Sequence, residues 1–334
     1  MSRASAARRL ASAAAYGGGG LSVLGVSLYG VLRLEAKIAR KVIGVNDNRV
    51  PDASGWYGRG RPGPAIKIAL LGDSSAAGYG VDKVEDTPGA RLGAGVANGA
   101  ERRVHLSEFC VVGAQTSDLR GQVDRALPTD PDVAVILIGA NDVTHAVLPS
   151  ASVRLLAEEV NRLVEAGVEV VVGTCPDLGT IRPIPQPLRQ LARSWSRRLA
   201  AAQTIAVVEA GGRSVSLGSV LGPEFDAAPA LLFGPDQFHP SAQGYASLAA
   251  VLVPSVLACI GLEPSEDQLP EVLRGEGVMP LGKAAVRATR QPGTELGGAE
   301  VAGSKRGAGG RWVLLKRRRR QPESAAEAPT DTEA

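Results

Sequence analysis

The sequence predicts an α/β fold: a three-layer αβα, flavodoxin-like domain with helices on both faces of a parallel five-stranded sheet. Three observations predict it. Short apolar runs alternate with longer amphipathic or Ala-rich stretches between residues 64 and 262, the pattern of strands joined by crossover helices. The runs are unbroken, as in residues 133–138 (VAVILI), which fits strands covered on both faces. Hydrophobic residues reach 44% while aromatics stay at 4%, so the core is drawn mainly from Ala, Val, Leu and Ile.

The elements follow in order. Residues 66–71 (IKIALL) read as the first strand, ended by Gly72. Thr87-Pro88 opens a helix, proline being well suited to the first helical position. Residues 104–112 form a second strand, and Thr116 caps a helix to about Leu127, with Asp118 in its first turn. Residues 133–138 are the third strand. Ser150 or Ser152 begins a helix through Ala166, with Leu155, Leu156, Val160 and Leu163 on one side. Residues 168–172 (VEVVV) are a fourth strand, 187–202 a basic amphipathic helix and 205–208 a fifth strand. Ser241 caps a last helix running towards Cys259.

The two ends differ from this middle. Arg3, Arg8 and Arg9 precede a charge-free stretch from Leu10 to Leu32. About 20 apolar residues span a bilayer as a helix, so residues 1–44 read as an uncleaved membrane anchor or a signal segment with a basic amphipathic flank. Arg33, Lys37, Arg40 and Lys41 behind the run nearly balance the arginines before it, so topology is open; an exported location, anchored by the N-terminus, is the favoured expectation. Residues 45–63 read as a linker. Residues 263–334 read as a low-complexity, disordered tail, basic around Arg317–Arg320 and then acidic. Its bases, with those of the N-terminal segment, are candidates for an anionic membrane surface.

Net charge is only +3, which does not argue for a nucleic-acid partner. Cys110, Cys175 and Cys259 lie far apart, without a CxxC, so neither a cysteine metal site nor complete internal disulfide pairing is expected.

Four polar blocks stand at strand ends or before the last helix. Gly72-Asp73-Ser74-Ser75 presents a hydroxyl and an amide at a strand-to-helix turn, where a nucleophile and an oxyanion donor are wanted; a plain capping serine is the alternative. Gly113, in VVGAQ, lets the backbone approach a ligand and donate its amide, or is an ordinary turn glycine. Asn141, in GAND, offers a side-chain amide at the sheet edge, or caps a turn. In Asp236-Gln237-Phe238-His239, a carboxylate three residues before an imidazole can fold against it and fix its tautomer; alone, a structural histidine is the commoner explanation.

Taken together, in this order, the blocks resemble the SGNH hydrolase family, also called GDSL-type esterases and lipases. The resemblance covers about residues 64–262, matches GxND and DxxH in full, and departs from the GDSL motif at Ser75. It implies carboxylic ester hydrolysis through an acyl-enzyme on Ser74. His239 is then the base and Asp236 its orienting partner, with no cofactor and no metal. Ser74, Gly113 and Asn141 would form the oxyanion hole, and Asp73 and Asp142 would brace the turns.

Other readings stay open. An acyltransferase on the same fold would use the same residues. A nucleotide-binding module fits the Gly-rich 72–80 stretch, but that stretch has neither GxGxxG nor GxxxxGK[ST]. A non-catalytic membrane-surface protein would leave the Ser, Asn, Asp and His positions without purpose. His145, four residues past Asn141, is a weaker candidate base. The substrate class expected is a small-molecule or lipid acyl ester, and residues 222–234 are a candidate wall for it.

Overall fold

A computed structural model of the chain describes residues 50–262, together with 30–32, 34, 35, 37, 38 and the pair Glu295–Leu296. The sheet contains β1 (Gly55–Tyr57), β2 (Ile66–Gly72), β3 (Val104–Glu108), β4 (Val133–Leu137), β5 (Glu169–Gly173), β6 (Arg213–Val215) and β7 (Glu295–Leu296). Their order is β1-β3-β2-β4-β5-β6-β7. β2 to β6 are mutually parallel, whereas β1 and β7 pair antiparallel at the two edges. Counting the parallel strands alone gives the flavodoxin-like order 2-1-3-4-5, in which ligands bind beyond the strand carboxyl ends at the switch between the first and third. Here that switch lies between β2 and β4.

Alternation within the apolar runs explains the three layers. Ile66, Ile68, Leu70, Val133 and Val135 enter one core cluster with Leu92 and Val96 of the Pro88–Ala100 helix and Leu252 and Val256 of the Ala242–Cys259 helix. Ala69, Leu71, Ala134 and Ile136 enter a second with Val123, Leu156, Val160 and Val207. Successive strand residues point to opposite faces, so a sheet covered on both faces needs apolar residues at every position.

The Ala242–Cys259 helix is apolar and long enough to cross a membrane by composition. It instead packs in the core through Tyr245, Leu248 and Leu252.

Two readings need correction. Residues 205–208 are not a strand; they lie in the 22-residue helix Leu188–Glu209. Its buried Leu199, Ala200, Gln203, Thr204, Val207 and Val208 repeat at helical spacing, and that period overrides the β preference of the TIAVV run. The fifth parallel strand is the three-residue β6, whose Ser214 and Val215 are buried by pairing with β5. Second, the segment read as a linker contributes β1. Tyr57 on that strand packs over Gly93, and its hydroxyl donates to the Ala53 carbonyl at 2.6 Å.

Smaller differences have local causes. β3 ends at Glu108 rather than Val112, although the amides of Phe109 and Val111 still donate to Leu70 and Gly72. Thr116 does not cap the following helix; a 3-10 turn at Thr116–Asp118 intervenes, boxed by Gln115 and Asp118. The Thr116 hydroxyl is instead committed to Asp142. Pro149, not a serine, is the first residue of the Pro149–Glu165 helix.

Of the N-terminal segment, residues 30–32, 34, 35, 37 and 38 are helical. The Glu35 carboxylate accepts the Leu188 amide at 2.9 Å, at the start of the Leu188–Glu209 helix where donors lack intrahelical partners. The rest of the apolar run and, apart from β7, the tail lie outside the described residues.

Candidate active site

The first block sits at the carboxyl end of β2. Gly72 adopts φ +141°, and a Cβ there would overlap the Leu137 carbonyl oxygen, so only glycine brings β2 this close to β4. Asp73 caps the short Ser74–Ala77 helix, its carboxylate accepting the Ser75 amide at 2.8 Å and the Ser75 hydroxyl at 2.7 Å. Burial pushes the Asp73 carboxyl above the usual range, although the Ser75 hydrogen bonds oppose it. Ser74 is left as the first helical residue, with its amide among the donors that a helix start leaves unpaired.

His239 reaches Ser74 from across the chain. Its loop is closed by a bridge between Phe233 and Pro240 and by the Gly234 amide on the His239 carbonyl at 2.8 Å. Inside it, Asp236 Oδ1 accepts the amides of Phe238 and His239, each at 3.0 Å, while Oδ2 lies 2.6 Å from His239 Nδ1. Burial pushes the Asp236 carboxyl up, but the hydrogen bonds from His239 and Phe238 prevail and hold it below the ordinary value. A carboxylate on Nδ1 makes that nitrogen the donor, so Nε2 of the neutral ring is an acceptor. Nε2 lies 2.9 Å from Ser74 Oγ. Tyr79 and Phe238 hold the ring from its sides, with centroids at 4.4 and 4.9 Å.

The second and third blocks face each other. Gly113 takes φ +82° with open space where a Cβ would stand. Asn141 Nδ2 donates to the Ala114 carbonyl at 3.0 Å, which fixes the amide and leaves its second hydrogen for another acceptor. Asp142 accepts the Thr116 amide at 3.1 Å and its hydroxyl at 3.0 Å. Neighbouring residues of one block thus clasp the 113–116 loop of the other. Burial raises the Asp142 carboxyl against the Thr116 hydrogen bonds.

His145 is placed differently: its Nδ1 lies 2.8 Å from the Asn141 carbonyl, on an exposed turn. Among the described residues, no group of three or more His, Cys, Asp or Glu side chains is arranged to hold a metal. No disulfide joins Cys110, Cys175 and Cys259.

Residues 70–247 match the model of the GDSL-like lipase/acylhydrolase family. The chain belongs to that family. It is 43% identical over 251 residues to a GDSL-like esterase of Mycobacterium tuberculosis, an alignment covering 70% of this chain and 79% of that protein. Solved structures similar to it include a lipase/acylhydrolase from Enterococcus faecalis, at 22% identity and TM-score 0.45, covering 58% of this chain and 96% of that one. A catalytic mutant of an acetylxylan esterase from Geobacillus stearothermophilus aligns at 17% identity and TM-score 0.47, covering 61% and 99%.

In this GDSL-like chain Asp73, Ser75 and His239 line a cavity of about 100 Å³. Leu217, Leu221, Phe225, Phe233, Phe238 and Leu248 are part of its apolar wall, and Asp73 and Asp177 are its carboxylates. Phe225 and Phe233, from the 222–234 stretch, pack edge to face at 4.9 Å. Several positioning residues escaped the sequence reading. Gln122 brackets Gly72, accepting its amide at 2.7 Å and donating to its carbonyl at 3.0 Å. Gln203 does the same service between Cys175 and Ile138. The sequence carries no signal for these glutamines, because their burial follows from the fold. Asp177, held by Arg197 at 2.8 Å, stands in the stretch after β5 where no motif marked it.

Proposed function

We propose that this member of the GDSL-like lipase/acylhydrolase family, a hydrolase acting on esters, hydrolyses carboxylic esters through an acyl-enzyme on Ser74. The observation that carries the reading is the hydrogen-bonded chain from Ser74 Oγ to His239 Nε2 at 2.9 Å and from His239 Nδ1 to Asp236 at 2.6 Å.

In the first half, Ser74 Oγ attacks the carbonyl carbon as His239 Nε2 takes its proton, and the C=O electrons pass to the oxygen. The Ser74 and Gly113 amides and the free hydrogen of Asn141 Nδ2 receive that oxyanion. The intermediate collapses, the acyl–alkoxy bond breaks, and His239 returns its proton to the leaving alcohol. Water repeats the sequence on the acyl-enzyme, releasing the acid and restoring Ser74. Asp236 stays ionised throughout and stabilises the imidazolium.

The apolar cavity supports short acyl groups. A cavity of about 150 Å³ holds a benzene, so about 100 Å³ fits acetyl to butyryl chains better than long ones. The test is steady-state turnover of p-nitrophenyl esters from acetate to laurate by the full-length chain, with Ser74→Ala and His239→Ala alongside. The reading expects highest kcat/KM on the short esters and loss of turnover in both variants. Undiminished turnover by Ser74→Ala, or none by a folded wild type, contradicts it.

A further inference from the structure

We propose that the sheet edge carrying Ser74 and His239 rests on an anionic lipid surface, so that the site opens towards the bilayer. The exposed large apolar side chains are concentrated there. Helices and loops that leave the carboxyl ends of the parallel strands carry Val84, Val111, Val112, Leu148 and Leu231, with Leu148 64% and Leu231 61% exposed. Leu191 stands exposed in the first turn of the Leu188–Glu209 helix, which begins at the same edge. Beside it, at the helical residues around Glu35 and its hydrogen bond to Leu188, Val31, Leu34 and Ile38 are exposed. Trp56 and Leu262 are the exposed large apolar residues placed elsewhere among those described. Trp56 is on an edge strand with its ring against His105, and Leu262 follows the last helix at the opposite edge.

Apolar side chains gathered on one edge need a partner that accepts them, and three features choose lipid. The charge-free run Leu10–Leu32 ends three residues before Glu35. If that run enters a bilayer, a helical continuation places Glu35, and the edge it is bonded to, within about 5 Å of the membrane surface. The nearby helix start carries Arg189, Arg193 and Arg197 with one buried carboxylate, Asp177, bonded to the latter two. Lys37 adds a cation on the exposed N-terminal helix. Bases bordering apolar side chains match an anionic headgroup layer over acyl chains.

The test reads orientation. The full-length chain is reconstituted into vesicles of phosphatidylglycerol and brominated phosphatidylcholine, with a tryptophan added as L148W, L231W or, at the far edge, L262W. Bromine quenches tryptophan on contact. The proposal expects the added emission of L148W and L231W to fall at least about twofold and that of L262W to stay unchanged. No quenching at Leu148 and Leu231 positions, or equal quenching at all three, overturns it. A detergent-solubilised dimer that L148D/L231D dissociates, with no quenching at either position, would assign the edge to a second copy and overturn it too. The readout needs no turnover, so a wrong orientation and a wrong ester-hydrolase reading are told apart.

Discussion

The side-chain amide of Asn141 donates to the backbone carbonyl of Ala114 at 3.0 Å, so an expected oxyanion donor also anchors the loop that carries the other, Gly113. Tying one expected donor to the loop that carries the other would preorganise both before any charge develops, which is where electrostatic stabilisation is most effective.

Replacing Asn141 by alanine therefore removes one donor and loosens another. We expect kcat to fall about 100- to 1000-fold with KM little changed, since the interaction strengthens only in the transition state. Steady-state kinetics on a short ester checks this, and an unchanged kcat would remove Asn141 from the oxyanion hole.

The proposed acyl site makes the cavity wall the determinant of acyl length. Phe225 is buried against Phe233 and lines the space next to His239. Phe225→Leu should enlarge it and raise the ratio of kcat/KM for hexanoate over acetate by about tenfold, the scale on which apolar pockets discriminate methylenes. A ratio that stays constant while turnover persists would place the acyl chain elsewhere.

Glu108 makes stability depend on pH. Burial first, and the nearby Asp52 charge as well, push its carboxyl up to about 7 from 4.5, against the hydrogen bond from the Ala53 amide. As pH rises between these values the unfolded chain loses a proton that the folded chain keeps, so stability falls through that window and levels off above it. Glu108→Gln should flatten the slope and be the more stable protein at about pH 8, by at most about 3 kcal/mol. Denaturant titrations of both proteins at about pH 5 and about pH 8 measure this; parallel slopes would contradict it.

Where sequence and structure agree, a physical constraint is written locally. The runs of β2, β4 and β5 are apolar at nearly every position because both faces are buried. Asp236 and His239 are three residues apart, so their 2.6 Å contact is local to one loop, whereas the 2.9 Å meeting of His239 with Ser74 spans 165 residues and was inferred only through the family resemblance. Three-residue strands such as β1 and β6 are too short for a period and owe their form to the neighbour they pair with. The 205–208 run misled because β-branched residues also fill a helix stripe when their spacing suits it. Gln122 and Gln203 look like surface residues until the fold buries their helix faces against strand ends.

The central claim is that Ser74 is activated by His239 to attack carbonyl carbon, and a fluorophosphonate tests it most directly. The full-length chain is incubated with the reagent and the modified residue located by tandem mass spectrometry, which separates Ser74 from the adjacent Ser75. The account predicts one phosphonyl adduct on Ser74, absent in Ser74→Ala and formed far more slowly in His239→Ala. The Ser75 hydroxyl, donating to Asp73 at 2.7 Å, should remain unmodified. An adduct on Ser75 or any other serine, or labelling of Ser74 at the same rate without His239, would contradict it.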